Sequence, residues 1–331
     1  MDSAERSLPV YVLNWNGGDA VVACVASVLR SEGVAPAVYV IDNDSGDGSA
    51  ERLAGMLGRE RVIGTGGNRG YAAGMNAALA HLREAGGEHA LLLTHDVRLA
   101  PDALARLVAT ARQDPKIALV GPVVVCRERP RRLIGAGGFL RPGRLAAGHH
   151  REVLEPAPYR VDWLDGCCLL ARREAVDSVG GFDESYFLYF EDTDLGHRLV
   201  RAGWSVVLEP RAVAIHEKYG VPGTYYFHYM VRNRYRFWRK NFGIGPWRVG
   251  GALAVDTARL AGSWLRTLVW PRGDAREARA EAAVRLGRHL RGAATGTLAF
   301  LRGEVGRGVS DRSSGSTAWA VGGSGAGRGT T

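Results

Sequence analysis

Cysteine is scarce in this chain, four in 331 residues. Cys24, Cys126, Cys167 and Cys168 show no Cys-x-x-Cys spacing, which argues against a zinc ribbon or a disulfide framework and fits a reducing, cytoplasmic setting. Long apolar runs are missing too: nothing approaches the ~18 uncharged apolar residues of a spanning helix. The opening MDSAERSLPVYVLNW has two acids and no apolar block before strand-like residues begin, so no secretory leader is expected. Acid is also in short supply. Forty-three Lys and Arg stand against 34 Asp and Glu, a formal charge of +9, and the pI is near 9.7. That balance points to an anionic ligand or surface such as phosphate, acidic lipid or nucleic acid. Apolar residues are plentiful at 46%, enough for one large α/β domain with appendages or for two small domains.

Pro9 to Asn14, PVYVLN, predicts a buried strand. A helix follows from about Asp19 to Ser31, with Asp19 as N-cap and Val21, Val25, Val28 and Leu29 inward. A second strand, Val38 to Ile41, ends in Asp42-Asn43-Asp44-Ser45. Two strands joined by a helix imply a parallel pair with a right-handed crossover, and ligands of such sheets bind beyond the C-terminal strand ends. Asn14, Trp15 and Asn16, then Asp42 and Asn43, fall there. Asp42, the first polar residue past its strand, can accept a ribose hydroxyl or a pyrimidine N–H. For Asp44, Ser45, Asp47 and Ser49, turn chemistry and an N-cap at Ser49 suffice.

The run Gly66-Gly67-Asn68-Arg69-Gly70, leading on to Gly74-Met75-Asn76, lets backbone approach a phosphate at the start of a helix from Tyr71 to Arg83. A dinucleotide fold would want its glycines after the first strand, with an acid about twenty residues later. The first strand ends in Asn-Trp-Asn-Gly-Gly instead. Ala90 to Leu93 predicts a third strand running into Thr94-His95-Asp96, and Pro101 is expected at N1 of a helix ending near Arg112. Asp96 is a lone strand-end carboxylate, and Mg²⁺ or Mn²⁺ take few protein carboxylates alongside substrate phosphates.

The most informative stretch is GGFDESYFLYFEDTDLGHRLVRAGW, Gly180 to Trp204. Phe187, Tyr189 and Phe190 precede Glu191-Asp192, with Asp194 two residues on. Apolar surroundings raise a carboxylate's proton affinity, which suits a general base near neutral pH. The acids also open a helix, marked by Leu195, Leu199 and Val200 and stopped at Gly203. A helix N-terminus favours acids on its own account.

Together these residues resemble a known family. Strand-Asn14-Trp15-Asn16, strand-Asp42-Asn43-x-Ser45, Asn68-x-Gly70-x-x-x-Gly74-x-Asn76, a strand ending in Asp96, and Gly180-Gly181-Phe182-Asp183-Glu184 leading to Glu191-Asp192-x-Asp194-Leu195 occur in that order. The order is similar to glycosyltransferase family 2, in particular its rhamnosyltransferase-like branch, over about Pro9 to Phe242. The resemblance implies an α/β fold of GT-A type, a Rossmann-like, mostly parallel sheet flanked by helices. It also implies inverting transfer of a sugar from a nucleotide diphosphate sugar to an acceptor hydroxyl. Asn14, Asp42 and Asn68 would hold the nucleoside side of the donor, with Asn16, Asn43, Gly70 and Asn76 in the same motifs. Asp192 takes the position of the catalytic base, with Glu191 orienting it or binding acceptor. Asp96 takes the last position of the metal-binding acidic motif, and Thr94 stands where many members carry a second Asp. A divalent cofactor, Mg²⁺ or Mn²⁺, is expected at this reduced motif.

Arg127 to Val161 is rich in Arg, Gly and Pro and reads as a long excursion or mobile flap. His149 and His150, within it, are expected to be surface residues without function. Val161 to Leu170 predicts a return strand with a bulge at Asp165-Gly166. By resemblance this segment lines the acceptor pocket, Trp163 stacking on a sugar and Asp165 hydrogen-bonding it. Val206 to Leu208 and Val213 to His216 read as two short strands, and the family places a His like His216 at the metal or diphosphate. Thr224 is expected to cap a helix to about Asn241, on which Arg232, Arg236, Arg239 and Lys240 share a face. From Val231 to Gly250 there are six cations and no acid. That helix could hold the donor diphosphate through Arg232, lie on anionic lipid, or simply be solvated. No Gln-x-x-Arg-Trp of the family's processive synthases follows, so single addition is expected.

The expected domains are 1–242, with a donor half to about 125 and an acceptor half from about 126; a helical appendage over 243–309; and a disordered tail over 310–331. In the appendage Leu253, Leu260, Trp264 and Leu268 align on one side, opposite Arg259 and Arg266, as a membrane anchor, a homodimer contact or a cover for the catalytic domain. The expected partners are a nucleotide diphosphate sugar and a glycan, lipid-linked or small-molecule acceptor. Localisation is expected to be cytoplasmic, with peripheral contact at the membrane's inner face as one option, and nucleic acid is not expected. Two other classes fit less well. A sugar-phosphate nucleotidylyltransferase would carry cations straight after the first strand, where Asn14 to Gly18 has none. A basic membrane or nucleic-acid adaptor built on the Arg/aromatic helix would show salt-dependent binding to RNA or anionic liposomes without binding a nucleotide sugar.

Overall fold

Seven-residue β1 (Leu8–Asn14) and β2 (Pro36–Asp42) are apolar on both sides of the pleat, as strands covered by helices on two faces must be. The computed structural model describes residues 7–217, 223–269 and 275–307. The chain continues through α1 (Gly18–Leu29), α2 (Ser49–Leu57), β3 (Val62–Gly64), α3 (Gly70–Glu84), β4 (His89–Thr94), β5 (Val97–Leu99) and α4 (Ala103–Ala111). In chain order β1-α1-β2, β2-α2-β3 and β3-α3-β4 are three units that each cross from strand through helix to a parallel strand. The second half comprises β6 (Ile117–Cys126), β7 (Arg129–Gly135), β8 (Gly138–Arg141), β9 (Ala146–His149), β10 (Tyr159–Arg160), β11 (Cys168–Arg172), α5 (Arg173–Ser178), α6 (Glu191–Arg201) and β12 (Ser205–His216). Three helices close it, α7 (Thr224–Phe242), α8 (Pro246–Val269) and α9 (Ala275–Leu301).

One mixed sheet runs in the order β10-β12-β6-β11-β4-β1-β2-β3, with β5 added to β12 and β7 to β6. β1 is parallel to β2 and β4, and β12 to β6. β11 lies antiparallel between β4 and β6. This topology brings the carboxyl ends of β1, β2, β4 and β12 and the entry to β11 to one edge. Two apolar layers sandwich the sheet, one around Tyr11, Met75, Leu92 and Leu195, the other around Val12, Val25, Leu91 and Leu104. A third cluster joins Tyr186 and Phe190 to Phe237 and Trp238 of α7 and Val249 and Leu253 of α8.

Several local expectations are corrected. Residues 127–161 are not a flap: β7 pairs with β6, and β8 with β9 in a separate two-stranded sheet. Arg-, Gly- and Pro-rich strands this short carry no readable alternation. β12 is one strand, broken in register between Glu209 and Val213 by the Pro210-Arg211 bulge. The strand entered near Val161 begins only at Cys168. Gly17 and Gly48, not Asp19 and Ser49, hold the N-cap positions of α1 and α2, and Asp102 rather than Pro101 precedes α4. The tail over 310–331 lies outside the described residues. Among the described residues no helix is long and apolar enough to cross a membrane.

Candidate active site

At the carboxyl ends of β1 and β2, Asn14 and Asp42 sit side by side in register. Asn14 is fully buried. Its Nδ2 lies 2.8 Å from Asp42 Oδ1, 3.0 Å from Ser45 Oγ and 2.9 Å from Ser49 Oγ, while its Oδ1 accepts from Gly17 N–H. Asp42 also accepts from the Ser45 N–H and hydroxyl. Exposed Asn16, left-handed at φ 51°, accepts from Gly46 N–H through its Oδ1. Asn43 donates to Gly70 C=O, and Asn68 accepts from Gly70 N–H. Gly70 itself needs φ 83° and has no room for a Cβ, which would strike the Phe187 carbonyl.

Asn14, Asn43 and Asn76, expected on the donor, turn their amides onto the protein instead. Asn76 exchanges two hydrogen bonds with the Phe182 backbone and donates to Glu184. Burial demands such partners, because an unpaired buried amide costs more than a paired one gains. Arg232 is corrected on the same ground. Its guanidinium is wholly buried and donates to Asn233 Oδ1 and to the carbonyls of Gly306 and Tyr186. Burial pulls it down to about 10, still protonated at neutral pH.

Asp96 lies in the tight turn between β4 and β5, and β5 pairs with the end of β12. That pairing sets His216 Nε2 at 3.2 Å from Asp96 Oδ2, and Thr94 Oγ1 donates to Asp96 Oδ1 at 2.7 Å. Burial pushes the Asp96 carboxyl up, but His216, His95 and the Thr94 hydroxyl outweigh it and hold the group below the usual carboxylate range. His216 Nδ1 is buried with no hydrogen-bond partner among the described residues. A carboxylate oxygen 3.2 Å from an imidazole nitrogen offers two ligands that a divalent cation could share. Among the described residues no three His, Cys, Asp or Glu side chains converge on such a site, so phosphate oxygens would supply the remaining ligands, as Mg²⁺ and Mn²⁺ allow.

Glu191 and Asp192 begin α6 after a strained approach. Phe187, Tyr189 and Phe190 have φ of 65°, 69° and 73°, a region that non-glycine residues enter at a cost of order 1–3 kcal/mol each. Asn233 of α7 holds this run, its Nδ2 lying within 3.1 Å of the carbonyls of Tyr186, Leu188 and Tyr189. Tyr71 N–H donates to Phe187 C=O from the other side. Asp192 accepts from Gly166 N–H at 3.0 Å and Thr193 N–H at 2.6 Å. Burial, with the Asp165 charge, raises its carboxyl against the pull of those N–H groups and of His149. Glu191 is buried, and its Oε2 has no hydrogen-bond partner among the described residues. Burial first, then the Asp192 charge, drive its carboxyl well up.

Asp165 and Gly166 lie at the entry to β11. Tyr71 donates its hydroxyl to Gly166 C=O at 2.5 Å, and His149 Nδ1 approaches Asp165 Oδ1 to 3.1 Å. Burial lowers the His149 imidazole, but Asp165 and then Asp192 more than restore it and leave it raised. His149 is therefore no idle surface residue. No local pattern signals it, because it sits in the aperiodic section, whereas Tyr71 lies inside the Asn68–Asn76 motif. Trp163 is 4% exposed, wedged between Gly138 and Gly196 and edge-on to His149. It is core, with no open face on which a sugar could stack.

The two predicted acids adjoin one turn. Cys167 C=O accepts from Thr94 N–H two residues before Asp96, and Gly166 N–H binds Asp192. After burial and its nearest neighbours, the fields of both Asp96 and Asp192 raise the Cys167 thiol. Burial, Tyr226, Glu191 and Asp96 likewise raise the Tyr189 hydroxyl. Asp96 is held low and Asp192 raised, an arrangement suited to charge binding at the first and proton removal at the second.

The family described as "Glycosyltransferase like family 2" matches residues 6–238. An N-acetylglucosaminyl-diphospho-decaprenol L-rhamnosyltransferase of Mycobacterium tuberculosis is 30% identical over 294 residues, 78% of this chain and 94% of that protein. Rhamnosyltransferase WbbL of Escherichia coli is 45% identical over a short stretch of 56 residues, 17% of this chain and 21% of that protein. Among solved structures, a mannosyltransferase from Pyrobaculum calidifontis in complex with GDP-Man and Mn²⁺ superposes with a TM-score of 0.53 at 17% identity, covering 90% of this chain and 88% of that one. GalNAc-T7 with UDP, GalNAc and Mn²⁺ gives 0.58 at 15% identity over 86% of this chain, which spans about half, 55%, of that structure.

Proposed function

Since this chain belongs to glycosyltransferase family 2, we propose that it is an inverting enzyme that adds a single sugar to an acceptor hydroxyl. The donor proposed is a nucleotide diphosphate deoxysugar of the dTDP-rhamnose type, and the acceptor a lipid-linked saccharide. The mycobacterial relative, an L-rhamnosyltransferase named for N-acetylglucosaminyl-diphospho-decaprenol, supports the choice of sugar and of acceptor. Asp192 takes the proton of the acceptor hydroxyl as its oxygen bonds to the anomeric carbon. The bond from that carbon to the diphosphate oxygen breaks on the opposite side, so the anomeric configuration inverts. A Mg²⁺ or Mn²⁺ ion held by Asp96 and His216 would neutralise charge on the diphosphate. Asp42, kept in place by Asn14 and Ser45, receives the nucleoside. Gly166 N–H fixes the orientation of Asp192, and Asp165 with His149 faces the acceptor.

The observation that carries this reading is the 165–167 turn, which holds Asp192 through Gly166 N–H and the strand end that leads to Asp96 through Cys167 C=O. Asp192→Asn should lower turnover by about 10²–10⁴-fold and leave donor affinity intact. Titration with dTDP-rhamnose and Mn²⁺, scored by thermal shift, reads the second quantity. Equal loss of turnover and affinity would move Asp192 to the donor site and overturn the assignment. In the same assay dTDP-rhamnose should raise the melting temperature more than UDP-sugars do, by mass action. A UDP-sugar giving the larger shift would replace the donor.

A further inference from the structure

Helix α8 is apolar on two sides, and the protein uses one of them. Leu253, Trp264 and Leu268 turn inward, Trp264 meeting Phe227 of α7 and His289 of α9 edge to face. A second row, stepping by 4, 3, 4, 4, 3 and 4, runs Trp247, Gly251, Ala254, Ala258, Gly262, Leu265 and Val269. This step pattern keeps one face of a helix. Trp247 is 92% exposed, Leu265 50% and Val269 56%, and Val255 beside the row is also half open.

One position round the helix, Arg248, Arg259 and Arg266 form a parallel exposed row. The sole acid between Pro246 and Val269 is Asp256. It is paired at 2.5 Å with Arg234 of α7 and stands 3.8 Å from Arg259. The face therefore offers an indole at one end, aliphatic and small residues along its length, and a nearly uncompensated positive edge. A second copy of the chain would bring three more arginines to the contact and no free acid, so charge opposes self-association. An anionic bilayer supplies apolar depth and phosphate in the same geometry.

We propose that α8 is an interfacial anchor, with the Trp247–Val269 row lying at the acyl boundary of an anionic membrane and Arg248, Arg259 and Arg266 on the phosphate head groups. The claim goes beyond the transfer reaction and does not depend on it. Co-sedimentation of the full chain with vesicles tests it directly. Binding is expected to vesicles containing phosphatidylglycerol and not to phosphatidylcholine alone, and to weaken in 0.5 M salt. At about 1 kcal/mol for each arginine near the surface, Arg248→Gln/Arg259→Gln/Arg266→Gln should lose roughly a hundredfold in partitioning. Trp247→Ser should weaken binding further without restoring salt dependence. All four side chains are exposed, so the melting temperature serves as the folding control.

Equal binding to both lipids, no binding to either, or a triple variant that partitions like the parent would each overturn the proposal. So would a concentration-dependent dimer, seen by sedimentation velocity without lipid and abolished by Leu265→Arg, which would assign the face to a second copy. A protein that binds vesicles but transfers no sugar leaves the anchor standing. One that glycosylates a soluble acceptor yet ignores vesicles removes the anchor alone.

Discussion

A buried carboxyl with an unpartnered oxygen is cheaper neutral than charged, and Glu191 is placed that way. Its folded-state pKa lies above its unfolded value, so the folded protein binds more protons across the interval between the two. Stability is then greatest below the unfolded pKa, near 4.3 for a free Glu, and falls as pH rises through the folded one. Glu191→Gln removes that dependence. The variant's melting temperature should gain on the parent steadily above about pH 4.3; a gap independent of pH would show that Glu191 is ionised in the fold. Asp192 responds in activity instead. Its raised carboxyl places the acid limb of kcat/KM above the ~3.9 of an ordinary Asp, with activity lost as pH falls through it. The His149 charge opposes that rise, so His149→Ala should carry the limb to still higher pH. An unmoved limb would detach His149 from the base.

At the scale of elements, the acid-bearing helix α6 is legible in sequence but what precedes it is not. Leu195 and Leu199 announce the helix by period, and Gly180 to Trp204 announces an aromatic wall. Nothing in Phe187, Tyr189 or Phe190 announces positive φ, because the conformation is imposed by partners distant in sequence: Tyr71 on α3 and Asn233 on α7. The same holds for Asn14, Asn43 and Asn76, whose motif was readable and whose hydrogen-bond partners were not. Strands β1, β2 and β4 were plain from composition. The register that brings His216 to Asp96 depends on β5 pairing with β12, a long-range choice that no local pattern encodes. The clamp gives its own prediction. Asn233→Leu frees the carbonyls of Leu188 and Tyr189, Tyr186 C=O keeping Arg232, and lets the strained run relax, so kcat should fall by about tenfold or more, equivalent to ~1.4 kcal/mol of lost transition-state positioning, while donor affinity holds. Unchanged kcat would mean that packing of Phe187 and Phe190 suffices to hold the run.

For the whole molecule, the division of the chain at residue 242 raises the question whether the last helices are separable from catalysis. Their packing suggests that they are not. After α9 the chain turns back, and Gly306 N–H donates to Ser185 C=O at 3.0 Å, beside the strained run. The carbonyls of Gly306 and Arg307 accept from Arg232 and Tyr229 of α7 at 2.7 Å each, and Glu304 C=O accepts from Arg236. Arg232 in turn holds Tyr186 C=O at 2.6 Å. The turn over 304–307 therefore completes the shell around the strained run that leads to the proposed base, through a buried guanidinium that also donates to Asn233 and lies over the Tyr229 ring. Gly306 sits at φ 63°, which proline cannot adopt, and proline has no N–H to give. Gly306→Pro should therefore disorder this turn while leaving α9 seated on α7. The expected result is a lower kcat on a soluble acceptor, unchanged vesicle binding through α8, and faster amide exchange at residues 184–190. If kcat and exchange both match the parent, the C-terminal helices serve attachment alone and the catalytic unit ends at α7.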